Sequence, residues 1–107
     1  MSETFEKVCA LVEGGEVKVS DHGYDEMSDE DILAREVLAG VSKGIVVEDY
    51  PKYAKGPCVL VLQRGQDQRP IHVVWGIPKG LSSPAVVVTA YRPNPDLWSE
   101  DFTRRKT

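Results

Sequence analysis

The sequence is poor in the residues that carry most enzyme chemistry. Its 107 residues include only two histidines and two cysteines, and Cys9 and Cys58 lie far apart without the spacing of metal ligands. We therefore expect two reduced thiols rather than a disulfide or a zinc site. The sequence contains no glycine-rich phosphate loop, serine nucleophile elbow or cysteine-based catalytic motif, and it predicts neither a metal nor a cofactor.

Long hydrophobic runs are also missing. No run approaches the roughly 20 apolar residues of a membrane helix, and residues 1–6 lack the basic-then-apolar layout of a secretory signal. We therefore expect a cytoplasmic protein with no membrane partner. At 41 % hydrophobic residues, the chain has enough apolar side chains for one modest core, which predicts a single domain over residues 1–107.

Positive charge is scarce in the first half of the chain. Residues 1–49 hold thirteen acidic and four basic side chains, a balance of −9, whereas residues 50–107 hold four acidic and nine basic side chains, a balance of +5. The net charge of −4 by itself disfavours nucleic acid as a partner, because the phosphate backbone attracts basic surfaces. Two explanations remain: an acidic, solvated helix layer, or a C-terminal half that presents a positive surface to an anionic ligand.

Apolar residues at helical spacing predict two main helices. Phe5, Val8 and Val12 place a helix over residues 3–13, with glycines at 14 and 15 to end it. The second helix is expected to begin at Ser28 and to end at Gly40 or Gly44. Between them, Asp21 is expected to cap a brief helical turn that carries His22, and residues 16–20 alternate as in a short strand or an extended connection.

Runs of β-branched residues predict four strands, over residues 44–50, 58–63, 71–77 and 85–91. The short connection over residues 65–68 makes the strands on either side antiparallel neighbours. The predicted fold class is α+β, with N-terminal helices packed on one face of a four-stranded antiparallel sheet. The C-terminal tail follows, with Trp98 and Phe102 as anchors and a basic end.

The assignment of side chains to the two sheet faces depends on the strand register. If the hairpin is symmetric, Leu60, Leu62 and Trp75 share the helix-covered face, and His72 lies on the open face. The register of the last strand decides whether His72 shares its face with Thr89 and Tyr91 or with Arg92. The sequence leaves both registers open.

Polar residues on these elements suggest a hydrolytic site. His22 and His72 could act as general acid and base, because histidine titrates near neutrality. Arg92 would stabilise phosphorane-like charge, and Thr89 or Tyr91 would bind a phosphate oxygen. The alternatives are that His22 only packs at a helix start and that His72 is hydrogen-bonded across the sheet.

Two further residues could bind substrate from the loop before the second strand. Tyr53 could stack on a base, with Lys55 as a neighbouring cation. The acidic residues between 25 and 36 match no calcium loop or paired-carboxylate motif, so they are interpreted as a solvated helix face rather than a metal site.

Four motifs in order, SDH at 20–22, IVVEDYP at 45–51, PIHVVW at 70–75 and VTAYRP at 88–93, together resemble the bacterial domain-of-unknown-function family 4258. The resemblance covers about residues 16–98 and leaves a basic tail over 99–107. It implies a fold similar to ribonuclease toxins of the RelE and BrnT kind and to barnase-like nucleases. It also singles out five polar positions, His22, His72, Thr89, Tyr91 and Arg92.

The sequence departs from the family pattern at one place. Many members resemble each other in carrying an arginine–glycine pair before the main helix, whereas this chain has the acidic segment 27–30 there. Taken together with His22 and His72, the resemblance leads to our first hypothesis: a toxin-like, metal-independent endoribonuclease or a descendant of one, with RNA as substrate and an antitoxin-like protein as partner.

The rival hypothesis is a non-catalytic binding module that uses the open sheet face for a protein or a small anionic ligand. A homo-oligomer joined through a sheet edge is a third alternative.

Overall fold

Three helices form the layer on one side of the protein. The computed structural model describes residues 2–106, and its helices are α1 (Glu3–Glu13), α2 (Asp21–Asp29) and α3 (Ala34–Gly40), which continues as a 3₁₀ turn, Val41–Lys43. The predicted bounds of α1 are confirmed. Its N-cap is Ser2, whose hydroxyl accepts a hydrogen bond from the backbone N–H of Phe5 at 3.0 Å.

The helical segment around His22 differs from the prediction. Ser20, not Asp21, caps α2, and its hydroxyl accepts a 2.9 Å hydrogen bond from the Gly23 N–H. Ser28 lies inside α2 rather than at the start of the next helix, which begins at Ala34. The predicted start was wrong because the acidic residues after Ser28 suit the first turn of a helix, yet here they end one.

A five-stranded sheet lies against the helices, with the spatial order β1-β5-β4-β3-β2. Its strands are β1 (Val17–Val19), β2 (Ile45–Tyr50), β3 (Cys58–Arg64), β4 (Pro70–Gly76) and β5 (Ala85–Tyr91). The α+β class and the antiparallel meander from β2 to β5 are confirmed. The expectation of four antiparallel strands was wrong, because β1 pairs with β5 and runs parallel to it.

The register of the β3–β4 hairpin decides which residues face the helices. Its connection is 65–69, one residue longer than expected, and Leu62 therefore lies opposite His72. Because side chains alternate along a strand, this one-residue difference exchanges the two faces of β3. Trp75 points to the helices as predicted, but Leu60 and Leu62 point away from them, contrary to the prediction.

The side of the sheet that faces the helices carries the core. Val8, Met27 and Val37 of the helices pack there with buried residues of β3, β4 and β5: Val59, Val61, Ile71, Val73, Trp75, Val87 and Ala90. The opposite side, which we call the second face, carries Leu60, Leu62 and His72, all nearly inaccessible to solvent.

The C-terminal segment 93–106 covers the part of the second face that holds His72. Trp98 is 4 % exposed, and its ring centroid lies 4.4 Å from that of His72 in an edge-on arrangement. The segment folds back on itself through a bridge between Trp98 and Arg105. Trp98 is therefore confirmed as an anchor, and the face expected to be open is covered over the part that holds His72.

The described helices are all short. Within residues 2–106, none has the length and apolar character that crossing a membrane requires.

Candidate ligand-binding groove

The tail leaves one part of the second face uncovered, and that part forms a groove. We call it the second-face groove; its volume is about 620 Å³. Its floor is apolar and comes from the central strands: Leu60, Val74, Val86 and Val88. Tyrosines and one lysine form its walls: Tyr50, Tyr53, Tyr91 and Lys55. The arrangement is that of a small-molecule site, in which few polar groups surround an apolar floor.

A bulge in β5 widens the row of side chains that face the groove. Val74 pairs with Thr89 and Trp75 pairs with Val87, so Val88 is the extra residue between the two pairs. Val88 lines the groove and is 39 % exposed. The bulge therefore adds an accessible apolar side chain to the floor.

One end of the groove is closed by a network of charged and hydroxyl groups. Arg105 of the tail donates to Glu48 of β2 through Nε at 2.8 Å and Nη2 at 3.1 Å. The Tyr50 hydroxyl donates to the same carboxylate at 2.8 Å, and the Arg105 guanidinium stacks over Trp98, 4.8 Å from the ring centroid. Both carboxylate oxygens of Glu48 are therefore engaged.

These contacts shift the pKa values of the groups in the network. The Arg105 hydrogen bond lowers the pKa of Glu48, and the Glu48 contact raises the pKa of Arg105. The hydrogen bond to Glu48 raises the pKa of Tyr50, and burial raises the pKa of Tyr91. At neutral pH the pair Glu48–Arg105 is thus a matched anion and cation, and both tyrosines keep their protons.

His72 lies beside the groove, beneath the tail. Its Nε2 is 2.8 Å from the Phe102 carbonyl oxygen, and its Nδ1 is 3.3 Å from the Tyr91 hydroxyl. A carbonyl only accepts, which assigns the proton to Nε2 and leaves Nδ1 to accept from Tyr91. Burial lowers the pKa of His72, so the ring is neutral and serves to join tail and sheet.

Comparison with known protein families identifies a family to which the chain is similar. The profile of the family described as domain of unknown function (DUF4258) matches residues 19–92, well over half of the chain. The chain belongs to this family. Neither a curated protein nor a solved structure matches it.

The residues around the groove come partly from the segment that matches DUF4258 and partly from the tail that follows it. Its floor strands and its tyrosines lie inside residues 19–92, whereas Trp98 and Arg105 lie after the matched segment. The cover of the second face is therefore built from residues outside the family match.

Three of the residues that the sequence suggested for binding meet at the groove. Tyr53, Lys55 and Tyr91 all line it. Thr89 pairs with Val74, and Tyr91 pairs with His72. This is the register of β5 that the sequence left open, and it places Thr89 and Tyr91 on the second face with His72. Thr89 lies beside the groove rather than in its lining.

The other predicted residues lie elsewhere. His22 is exposed on α2, on the helix side of the sheet, with Nε2 3.8 Å from Glu26 Oε1. Arg92 reaches toward the β3–β4 hairpin, where Nη1 donates to the Pro70 carbonyl at 3.4 Å and Nη2 lies 4.0 Å from Asp67. The sheet thus separates His22 from His72, and the proposed acid–base pair does not converge.

Sequence reasoning missed Glu48, Tyr50 and Arg105 as parts of the site. Glu48 and Tyr50 are two residues apart in a strand, so period-two alternation indicates that they share a face. Their partner Arg105 is 57 positions away from Glu48, and no local pattern connects them. Among residues 2–106, no group of three or more histidine, cysteine or carboxylate side chains is arranged to hold a metal ion.

Proposed function

We propose that this protein is a non-catalytic binding module whose second-face groove takes a small organic anion with an apolar body. The observation that carries the proposal is the groove itself, about 620 Å³ in volume and lined by an apolar floor, three tyrosines and Lys55. Ligand pockets in proteins typically have volumes of roughly 300–1,000 Å³ and this mixture of apolar and polar walls.

The walls determine which ligand chemistry fits. Leu60, Val74 and Val88 favour an apolar or aromatic body, because burying apolar area releases free energy in proportion to that area. Glu48 and Arg105 neutralise each other. Among the lining residues, Lys55 is then the charged group that no carboxylate neutralises. Its positive charge favours a ligand with one negative group.

The ribonuclease hypothesis needs two histidines at one phosphodiester. His22 is exposed on the helix side, and His72 is buried on the second face with both ring nitrogens engaged. This separation argues against the two-histidine form of the hypothesis. Cleavage of RNA, an antitoxin-like partner and similarity to the RelE and BrnT toxins stay predictions.

The binding proposal is tested with 8-anilinonaphthalene-1-sulfonate, an aromatic anion whose fluorescence rises in apolar sites. We expect saturable binding at one site per chain. Val88→Glu should abolish it, because a carboxylate on the floor repels both the rings and the sulfonate. Lys55→Gln should weaken it about two- to fivefold, the size of one exposed ion pair.

Matched variants outside the groove serve as controls. Leu81→Glu places the same charge on an exposed loop residue, and Lys52→Gln removes a charge from the same loop as Lys55; both should bind like the unchanged protein. Equal loss in a variant and its control would overturn the proposal. Cleavage of single-stranded RNA by the purified protein, abolished by His22→Ala or His72→Ala, would restore the ribonuclease in its place.

A further inference from the structure

A second cavity lies at the other end of the sheet and is polar where the groove is apolar. We call it the hairpin cleft. It measures about 390 Å³ and lies between α3, the 3₁₀ turn and the hairpin that joins β3 to β4. Its polar lining consists of Arg35, Lys43, Arg64, Glu36, Gln63, Gln66 and Gln68.

Within residues 2–106, the three cations of the cleft form no ion pair. The ion pairs found in residues 2–106 join His22, Arg69, Arg92 and Arg105 to carboxylates, and none of them uses Arg35, Lys43 or Arg64. The Arg64 side chain donates a 3.2 Å hydrogen bond from Nη1 to the Gln68 carbonyl. Three positive side chains thus surround one cavity in a chain whose net charge is −4.

Two of the three cations come from the half of the chain in which basic residues are scarce. Residues 1–49 contain only four basic side chains against thirteen acidic ones, and two of those four, Arg35 and Lys43, line this cleft. The fold therefore gathers scarce positive charge from the acidic half and adds Arg64 from the basic half.

The one carboxylate in the lining is already occupied. Glu36 Oε1 accepts the Gln66 N–H at 2.9 Å, and Oε2 accepts the Leu33 N–H at 3.1 Å. These two backbone hydrogen bonds lower the pKa of Glu36, so it stays ionised while it holds the hairpin against α3. The lining therefore holds one carboxylate and three cations, which leaves the cleft with an excess of positive charge.

We propose that the hairpin cleft binds a phosphate-bearing ligand through Arg35, Lys43 and Arg64. A guanidinium presents paired N–H donors that match two oxygens of a phosphate, and a lysine adds a point charge. The side-chain amides of Gln66 and Gln68 lie in the same lining and offer further donors. No aromatic residue lines this cleft, so recognition is of the phosphate and not of a stacked base.

The test is calorimetric titration with inorganic pyrophosphate at low ionic strength. We expect one site per chain, weakened three- to tenfold by Arg64→Gln and by Lys43→Gln. Arg64→Lys, which keeps the charge but loses the paired donors, should weaken binding by less than Arg64→Gln does. The affinity should also fall as NaCl is raised from 50 to 200 mM, because exposed charges are screened.

Arg104→Gln is the matched control, because it removes the same charge from an exposed residue of the tail. Unchanged affinity in this variant supports the site. Absence of pyrophosphate binding in the unchanged protein, or equal weakening in Arg104→Gln, overturns it.

A second titration identifies the source of the phosphate. If an unstructured RNA oligonucleotide displaces pyrophosphate, the cleft takes the phosphates of a polynucleotide; if it does not, the cleft takes a small phosphorylated molecule. This proposal is independent of the second-face groove, and its tests use none of the variants on which the groove depends.

Discussion

His72 lies on β4 beneath the C-terminal tail and is fully buried. A histidine in a strand next to polar residues suggests acid–base chemistry, but here the ring is buried between Tyr91, Trp98 and the Phe102 carbonyl. Its neutral form has a donor and an acceptor at opposite ring nitrogens, and each meets a partner of the right kind. The ring therefore acts as a connection between β4 and the tail.

This burial predicts a dependence of stability on pH. Burial lowers the pKa of His72 below the ordinary 6.5, so below about pH 6.5 the unfolded chain binds a proton that the folded chain does not. The free energy of unfolding should therefore fall as pH is lowered from 7.5 to 5.5. Urea unfolding at several pH values measures it.

His72→Gln should lose this pH dependence within the same window. His22→Gln, which replaces the exposed histidine, should keep it. If His72→Gln retains the full slope, the burial of a neutral His72 does not govern stability in this range.

At the level of elements, the C-terminal segment serves as the cover that helices provide on the other side of the sheet. An antiparallel sheet commonly leaves one face to solvent, yet His72 on this face is fully buried. Trp98 and Arg105 attach the segment to His72 and Glu48. The segment therefore covers the part of the second face that holds His72 and leaves the groove beside it.

Removing the aromatic anchor tests this description. Trp98→Ala should lower the free energy of unfolding by about 3–5 kcal/mol, the usual loss when a buried aromatic side chain is truncated. Urea unfolding followed by far-ultraviolet circular dichroism measures it. Leu97→Ala is the control, because Leu97 is exposed and its truncation should change stability by less than about 0.5 kcal/mol. Equal, small losses in both variants would contradict a packed tail.

For the whole molecule, the two cavities extend toward opposite ends of β3, and their linings come nearest at Leu60 of the groove and Leu62 of the cleft. The strand β3 begins at Cys58 in the second-face groove and ends at Arg64 in the hairpin cleft. Seven extended residues span about 20 Å, which exceeds the screening length of about 8–10 Å at ordinary salt concentrations. The two sites should therefore respond to separate ligands.

This separation predicts independent binding. Saturation with 8-anilinonaphthalene-1-sulfonate should change the dissociation constant of pyrophosphate by less than about twofold at 150 mM salt, because no charge–charge interaction of useful size connects the sites. Calorimetric titration with and without the dye measures it. A tenfold change would reveal coupling of about 1.4 kcal/mol through the sheet and would contradict two separate sites.

Local chemistry determined most of the elements. The bounds of α1 and β5 follow from apolar periodicity and flanking glycine or proline, because such patterns act over a few neighbouring residues. The family membership also follows from short ordered motifs within residues 19–92. Tyr53, Lys55 and Tyr91 could be chosen as binding residues for the same reason, since their side-chain chemistry is visible in the sequence.

Tertiary structure alone decided which of these residues meet. One additional residue in the hairpin connection exchanged the faces of β3, since side chains alternate with a period of two. The parallel pairing of β1, the separation of His22 from His72 and the contact of Arg105 with Glu48 all join residues far apart in sequence. Such contacts depend on the summed packing of the whole chain, and for that reason the sequence determined the parts of this protein whereas the tertiary structure determined its sites.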